Sequence, residues 1–262
     1  MNTGARSSWR IAFAVWHALL LREAVTRLFN KRGAWLWLLV EPLAYVGFTV
    51  VLFAVLHARA IGGMDPAVWL TSGLLSYFLF RRVAQQASAA VGANLALFTY
   101  RQVLPVDTVL VRCVLEALLV LATAALFSGV LALWGKPLTA QEPLFCASAV
   151  AGLWLLAVGW ALMASVGTEL IPEFGNVLGL LMMPLLLISG TIVPLATIPY
   201  PWRGWLMLNP VAHGIEGVRA GISSYYHHTP ELSLAYLHGV ALVLLFFGLA
   251  LQLRFRRRLV SL

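Results

Sequence analysis

The sequence predicts an all-α polytopic membrane protein. Hydrophobic residues make up 61% of its 262 residues and charged residues only 11%, which is far from the composition of soluble globular domains. The apolar residues come in blocks of about 20, the length that a helix needs to cross a bilayer. A β-barrel would need short alternating strands, which the pattern does not contain.

The positive charge of the chain, +8 overall, lies beside the apolar blocks. Nucleic acid is one class of partner for a basic chain, but the sequence has no basic soluble region that could hold a duplex. An excess of Lys and Arg in cytoplasmic loops explains the distribution better. Cys113 and Cys146 lie inside apolar blocks, where cysteines behave as small hydrophobic residues, so we expect no structural disulfide.

Residues 1–32 are predicted to form an amphipathic helix in the membrane interface. Its apolar positions, at helical spacing, are Trp9, Phe13, Trp16 and Leu20, and its basic ones are Arg6, Arg10, Arg22, Arg27, Lys31 and Arg32. A signal peptide is the competing interpretation. Arg22 and Glu23 stand where a small-residue cleavage site belongs, so we expect the segment to be retained.

Hydropathy predicts six spans in residues 33–262. They lie at residues 33–56, 67–90, 105–134, 144–167, 177–193 and 232–253. Arg81 and Arg82 interrupt the second span, so their side chains must reach the interface or face a polar cavity.

The Lys and Arg residues predict that both termini lie in the cytoplasm. In that arrangement fourteen of them fall on the cytoplasmic side and four on the outer side, as the positive-inside rule requires. The connection between the fourth and fifth spans carries Glu169 and Glu173 and no Lys or Arg. Acidic residues count little in this rule, so the orientation is kept.

The stretch between the last two spans is too rich in proline and glycine to be one helix. Backbone at membrane depth must satisfy its own hydrogen bonds, so we expect two re-entrant half-helices near residues 194–221. The first is predicted at residues 202–208 and carries Trp202 and Trp205. Asn209 is a suitable N-cap for the second half-helix, and Pro210 suits its first position.

The second half-helix is predicted to pack closely against a neighbouring helix, because small residues let backbones approach. One of its faces is formed by Gly214, Gly217 and Gly221. His213 and Glu216 lie to one side, and Arg219 follows Glu216 at i+3. This spacing favours an interfacial ion pair over a reaction centre.

The sequence lacks the motifs of nucleotide hydrolysis, acyl transfer and zinc peptidases. Its nearest approach to a phosphate-binding loop, residues 129–137, has one residue too many and Pro137 in place of the magnesium-binding hydroxyl. His227 and His228 are adjacent in a Tyr-rich loop, where a polar loop tip explains them better than a metal site. We expect no catalytic, cofactor or metal site, and a membrane-embedded transferase is the weaker class.

The connection between the second and third spans has the features of a docking element. Phe98, Tyr100 and Arg101 precede Pro105, which suits the first turn of the next helix. The segment near residues 92–103 can be an ordinary loop. It can also dock a separate soluble motor, because aromatic and Arg side chains are favoured anchors at interfaces.

Aromatic and hydroxyl side chains share faces of the first two predicted spans. They are Trp37, Glu41, Tyr45 and Phe48 in the first span, and Trp69, Ser72, Ser76 and Phe80, with Tyr77 beside them, in the second. Such faces suit sugar rings, which offer apolar C–H patches and hydroxyl groups. Packing or interfacial residues commonly give the same pattern. Glu41 differs, since an ionisable group inside a span is a functional hypothesis by default.

Three stretches of the chain carry a resemblance to a known family. They are LLREAVTRLFNKRGAWLWLLVEP, LFTYRQVLPVDTVLVRCVLE and ISGTIVPLATIPYPWRGWLMLNPVAHGIEGVRAG. Together they resemble the inner-membrane permeases of the type-2 ABC exporter class, and most closely the capsular polysaccharide permeases. The Asn209-Pro210 context is general to the class, whereas the Leu-Arg-Glu and Glu-Pro stretches and residues 98–101 point to the capsule branch.

The resemblance implies a homodimer in the bacterial inner membrane that exports a lipid-linked acidic capsular polysaccharide. Each subunit would have an N-terminal gate helix, a coupling helix between spans two and three, and re-entrant helices before span six. Two separately encoded subunits would bind ATP and magnesium, so this chain would hold no cofactor. A periplasmic or inner-membrane accessory protein and an outer-membrane exporter would complete the path. An O-antigen, teichoic acid or drug exporter of the same architecture is the alternative.

In that setting the basic N-terminal residues would gather the polyanion or its anionic lipid anchor. They form a basic mouth of Arg6, Arg10, Arg22, Arg27, Lys31 and Arg32. Each would contribute on the order of 1 kcal/mol near an anionic surface. Membrane topology alone explains these charges equally well.

Overall fold

The computed structural model describes residues 8–29, 33–55, 60–100, 102–171 and 173–260. Within these ranges the regular structure is helical, apart from an isolated β-bridge between Ile61 and Met64. The prediction of an all-α protein is therefore confirmed.

Nine α-helices lie in the described ranges. Their bounds are α1 Ser8–Phe29, α2 Ala34–Val55, α3 Pro66–Ser88, α4 Pro105–Leu133, α5 Pro143–Leu170, α6 Phe174–Ile188, α7 Trp202–Leu206, α8 Pro210–Ile222 and α9 Leu234–Val260. Two 3-10 segments, Gly92–Thr99 and Leu195–Thr197, precede α4 and α7 respectively.

Helices occupy all six predicted spans, as α2, α3, α4, α5, α6 and α9 in chain order. By length and composition, α4, α5 and α9 can cross a membrane, while Pro42–Phe53 and Phe174–Ile188 are shorter apolar helical stretches. α6 ends before the predicted boundary at residue 193, because Gly190 adopts a left-handed φ of 74° that a helix cannot continue. The six-span count itself stays a prediction.

α3 and α5 form the centre of the bundle. α3 packs against α4, α5 and α8, and α5 packs along α9. α3 carries polar residues such as Ser72 and Ser76, yet it is buried along nearly its whole length. A helix with polar side chains is best placed inside the bundle, because exposing them to hydrocarbon costs free energy.

Glycines bring α5 and α9 into close contact. A Cβ added to Gly159 would lie 2.7 Å from the backbone nitrogen of Leu245, and one added to Gly248 would lie 2.6 Å from Leu162 Cβ. Small residues of this kind let membrane helices approach until their backbones nearly touch. The α5–α9 pair is therefore closely packed.

The bundle has two different ends. At one end, which we call the α1 end, α1 packs on α4 beside the segment Gly92–Thr99. At the other, which we call the α8 end, the backbone of Glu142 donates to Gly221 and that of His227 donates to Gly62, both at 2.9 Å. The first bond joins the start of α5 to the end of α8, and the second joins the connection after α8 to the turn before α3.

Candidate functional site

The proline- and glycine-rich stretch folds as two short helices, α7 and α8, as its composition predicts. The Asn209 side chain accepts a hydrogen bond of 3.0 Å from the Val211 N–H, and Pro210 follows at the first helical position. Asn209 also donates to the Ser189 hydroxyl at 2.8 Å, which ties the start of α8 to the end of α6. The predicted N-cap is confirmed, and a position at membrane depth stays a prediction.

α7 presents its aromatic side chains outward. Trp202 and Trp205 are 67% and 69% exposed. The helix is held by Arg203, which donates to Glu231 Oε1 at 3.0 and 2.8 Å. This charge-assisted hydrogen bond lowers the pKa of the Glu231 carboxyl below its ordinary value. The pair thereby links α7 to the connection between α8 and α9.

The glycine face of α8 lies against α5. Cβ atoms added to Gly214 and Gly221 would lie 2.3 Å from the Leu153 side chain and 2.7 Å from the Cys146 backbone nitrogen. Gly217 completes the face between them. The close approach predicted from the glycine spacing is confirmed, and α5 is the neighbour that it serves.

A buried pair of charges joins α8 to the end of α6. Glu216 and Arg219 are both fully buried, and Arg219 Nη1 lies 3.3 Å from Glu216 Oε1. The same guanidinium donates to the carbonyl oxygens of Gly190 and Thr191 at 2.7 and 2.8 Å. The pair therefore lies buried within the subunit.

Both members of this pair have further partners. Arg219 Cζ stands 3.7 Å from the ring centre of Trp69, and Nε donates to the Trp69 carbonyl at 3.3 Å. Glu216 accepts hydrogen bonds from the Tyr226 hydroxyl at 2.8 Å and the Thr229 N–H at 3.4 Å. An unpartnered buried charge would cost several kcal/mol, so these contacts explain how the pair is tolerated.

Gly73 of α3 makes room for the guanidinium. A Cβ at this position would lie 2.1 Å from Arg219 Nη2 and 2.9 Å from Cζ. The sequence analysis missed Gly73, because a lone glycine in an apolar helix does not reveal a partner far along the chain. The available signal was its position one turn after Trp69, on the same helix face.

His213 is held as a neutral ring by two backbone groups. Nδ1 accepts a hydrogen bond of 3.0 Å from the Ser233 N–H, so Nε2 carries the proton and donates to the Met207 carbonyl at 2.7 Å. Both ring nitrogens are therefore used in joining α8 to the segments before and after it. This arrangement assigns His213 a structural role.

An ion-pair cluster ties α1 to α3 and α4 at the α1 end. Arg112 Nη2 lies 2.6 Å from Glu23 Oε1, and Arg27 Nε lies 3.1 Å from the same oxygen. Glu116 is fully buried and pairs with Arg27 and with Arg82, whose Nε is 3.2 Å from Glu116 Oε2. The cluster holds one more guanidinium than carboxylates, so it keeps an excess of positive charge.

Two residues of the predicted basic mouth are described with their contacts. Arg27 belongs to the cluster, and Arg22 Nη1 donates to Asn94 Oδ1 at 2.9 Å. The latter bond links α1 to the segment Gly92–Thr99. The Arg10 side chain and residues Arg6, Lys31 and Arg32 lie outside the described residues. The action of these residues on a polyanion stays a prediction.

The predicted docking element is the 3-10 segment Gly92–Thr99. Phe98 is only 6% exposed and anchors the segment in the hydrophobic core, whereas Tyr100 is 65% exposed. Arg101 lies outside the described residues. Of the three predicted coupling residues, Tyr100 is the one whose described side chain a partner can reach.

The aromatic face predicted on the first span is partly described. The Tyr45 ring packs edge-on against Phe78 of α3, with 5.6 Å between ring centroids. Phe48 is 70% exposed. The side chains of Trp37 and Glu41 lie outside the described residues. Of the four predicted residues on this face, the structure therefore describes the side chains of Tyr45, which packs on α3, and Phe48, which is exposed.

On α3 the predicted path residues are buried within the subunit. They are Trp69, Ser72, Ser76, Tyr77 and Phe80. The Tyr77 hydroxyl donates to the Met182 carbonyl, and the Phe80 ring packs edge-on against Trp160 at 6.2 Å. The two serine hydroxyls donate to carbonyl oxygens of their own helix. These are the contacts of packing residues, which is the alternative that the pattern left open.

Other chemistry-bearing side chains are dispersed. Among the described residues, no group of three or more His, Cys, Asp or Glu side chains is placed to hold a metal ion. Cys113 and Cys146 carry free thiols.

A bundle of long apolar helices, with the short helices α7 and α8 at one end and α1 packed on α4 at the other, defines a polytopic membrane protein. The chain belongs to the ABC-2 type transporter family, which matches residues 14–223. It is therefore a membrane subunit of a transporter.

Relatives from three organisms align with nearly the whole chain. Polysialic acid transport protein KpsM of Escherichia coli is 32% identical over 247 residues, which are 94% of this chain and 95% of KpsM. Capsule polysaccharide export inner-membrane protein BexB of Haemophilus influenzae is 28% identical over 256 residues, 98% of this chain and 96% of BexB. Capsule polysaccharide export inner-membrane protein CtrC of Neisseria meningitidis serogroup B is 27% identical over 251 residues, 92% of this chain and 90% of CtrC.

Proposed function

We propose that this chain is the permease subunit of an exporter that moves a lipid-linked acidic capsular polysaccharide across the bacterial inner membrane. ATP hydrolysis in separate subunits, which bind ATP and magnesium, drives the export. The observation that carries the proposal is the similarity, over at least 90% of either chain, to relatives named for capsule polysaccharide or polysialic acid transport. These names do not favour an O-antigen, teichoic acid or drug exporter.

The α1 end supplies the surface on which an ATP-binding subunit docks. The segment Gly92–Thr99 is anchored by the buried ring of Phe98 and followed by the exposed ring of Tyr100. A rigid anchor beside an exposed aromatic side chain suits an interface, because ordering it on binding costs little conformational entropy. The bond from Arg22 to Asn94 extends the contact to α1.

The working exporter is a homodimer with two ATP-binding subunits and with both termini of each permease chain in the cytoplasm. The polymer is longer than any cavity of one subunit can enclose, so it is threaded through a continuous path. An accessory protein and an outer-membrane exporter carry it onward from the inner membrane. Weak contacts suit such a path, because the chain must be released as readily as it is admitted.

The division of labour is tested with the purified full-length chain and its ATP-binding subunit. The chain alone should hydrolyse no ATP, and ATPase activity should appear with the partner. Tyr100→Ala should weaken binding of the ATP-binding subunit about tenfold, a loss of about 1.4 kcal/mol typical of an interface aromatic. Export of polysaccharide in cells should fall more than the ATPase activity of the assembled complex.

Tyr225→Ala is the matched control. Tyr225 is 77% exposed and lies in the connection after α8, away from the α1 end, so its loss should leave subunit binding unchanged. ATP hydrolysis by the chain alone, at a rate independent of the partner, would refute the proposed division. Equal loss of binding in Tyr100→Ala and Tyr225→Ala would show that the α1 end is not the docking surface.

A further inference from the structure

A groove of about 680 Å³ runs between α2 and α3, and two arginines of α3, Arg81 and Arg82, line it. Arg81 lines this groove and donates from Nε to Gln85 Oε1 at 3.2 Å. Among the described residues, no carboxylate lies within ion-pair distance of Arg81 and its two Nη nitrogens have no hydrogen-bond partner. Its neighbour Arg82 is instead committed to the buried Glu116.

The groove changes from polar to apolar along its length. Gln85 and Arg81 line one part, and the rings of Phe78 and Tyr45 line the next, one turn further from the C-terminal end of α3. Phe48 continues the apolar part along α2. Arg81 lies seven residues before Ser88, where α3 ends, which is about 10 Å along a helix. That depth is within reach of a lipid head group.

The apolar part of the groove is open to the side. Phe48 is 70% exposed and Val40 is 39% exposed, and both line the groove on α2. A molecule already in the bilayer can therefore enter between α2 and α3 without crossing water. A lipid chain can pack on these rings in the apolar part of the groove, whereas a long polar polymer without a lipid cannot enter this part from the bilayer.

We propose that this groove binds the lipid anchor of the exported polymer, with an anionic phosphate on Arg81 and the acyl chain along Tyr45, Phe48 and Phe78. The inference rests on the proposed function, since it names the part of the substrate that the permease takes first. A guanidinium whose two Nη groups have no partner within the described part of the chain can bind a phosphate bidentately. Gln85 orients this guanidinium, and the excess positive charge of the neighbouring Glu23, Arg27, Arg82, Arg112 and Glu116 cluster adds to the field.

The test measures lipid binding by the full-length chain in a neutral detergent, with native mass spectrometry to count bound lipids. Phosphatidylglycerol and phosphatidylcholine serve as probes with and without net negative charge. The wild type should prefer phosphatidylglycerol. Arg81→Gln should lower the affinity for phosphatidylglycerol at least about tenfold, the usual value of a charge-assisted hydrogen bond, and leave that for phosphatidylcholine unchanged. Arg81→Lys should retain most of the preference.

Arg254→Gln is the matched control. Arg254 is exposed near the end of α9, so the substitution removes the same charge at a position outside the groove. Equal losses in Arg81→Gln and Arg254→Gln would show general attraction of anionic lipid and overturn the site. Inorganic phosphate should not displace the lipid at concentrations that leave the fold intact. Displacement by phosphate alone would mean a site for small anions and would overturn the anchor proposal.

Export by cells separates this inference from the proposed function. If the wild type exports polysaccharide but prefers phosphatidylglycerol no more than Arg81→Gln does, the groove proposal is refuted and the proposed function stands. If the preference exists and depends on Arg81, while the chain and its ATP-binding subunit move no polysaccharide, the site stands as a lipid site and its role in export is refuted.

Discussion

Adding a single methyl group at Gly73 should disrupt the contact between α3, α8 and the end of α6. In Gly73→Ala the new Cβ would lie 2.1 Å from Arg219 Nη2 and 3.1 Å from the Thr191 carbonyl oxygen. The guanidinium cannot simply move aside, because it donates to Gly190 and Thr191 at 2.7 and 2.8 Å. The substitution must therefore break at least one of these hydrogen bonds.

The cost follows from the two changes that the methyl group forces. Overpacking a close contact costs about 1–3 kcal/mol, and losing a hydrogen bond from a charged donor costs about 1.5–3 kcal/mol. Together they destabilise the fold by about 2.5–6 kcal/mol, or on the order of 10 °C in the unfolding midpoint for a chain of this size. The measurement is the loss of the folded peak in size-exclusion chromatography after heating in detergent.

Gly239→Ala of α9 is the matched control, since nothing lies within 4 Å of a Cβ added there. Replacing a helical glycine by alanine stabilises either variant by about 0.5–1 kcal/mol. The difference in stability between the two variants therefore measures the clash of the new methyl group with Arg219. In an Arg219→Gln background, Gly73→Ala should cost much less, because the group it displaces is shorter. Equal midpoints for Gly73→Ala and Gly239→Ala would refute this account of Gly73.

Two further predictions concern orientation and pH. In a background without Cys113 and Cys146, a cysteine at Ser224 should react with a membrane-impermeant reagent from outside and one at Thr99 should not; the opposite labelling would reverse the predicted orientation. Since Arg203 lowers the pKa of Glu231, their pair should stabilise the protein above the usual carboxyl pKa of about 4.3 and lose this contribution as the pH falls through the lowered pKa. The unfolding midpoint of the wild type should therefore exceed that of Glu231→Gln near pH 7 and converge with it in acid, and a constant difference would contradict the assignment.

Much of the fold follows from one-dimensional properties of the sequence. Apolar blocks of about 20 residues placed most of the long helices to within a few residues, because a helix must satisfy its own backbone hydrogen bonds in hydrocarbon. The end of α9 was placed too early, at residue 253, because the helix continues through the basic residues that follow the apolar block to Val260. Asn209 and Pro210 marked the start of α8, since capping depends on neighbouring residues alone. The α6 boundary was placed too late, because apolar residues continue past the left-handed turn at Gly190.

The candidate sites were less accessible to sequence reasoning. Tyr100 and Phe98 were grouped as one docking surface, and only the packing of the segment buried one ring and exposed the other. Arg81 and Arg82 looked equivalent in the sequence. Both line the groove between α2 and α3, but Arg82 pairs with Glu116 of α4 whereas Arg81 bonds to Gln85 of its own helix. This difference depends on contacts between separate helices.

Composition and local spacing were enough to predict the class of protein, the approximate positions of its helices, the cap at Asn209 and the glycine face of α8. Each is a matter of composition or of spacing along one helix. The packing of the helices was needed to show that Gly73 accommodates Arg219 and that the aromatic face of α3 is buried within the subunit. The reason is that lipid tails are as apolar as a protein core, so hydropathy does not distinguish a lipid-facing side of a helix from one that faces another helix. The rotation of each helix about its axis is set by contacts with residues far away in the chain.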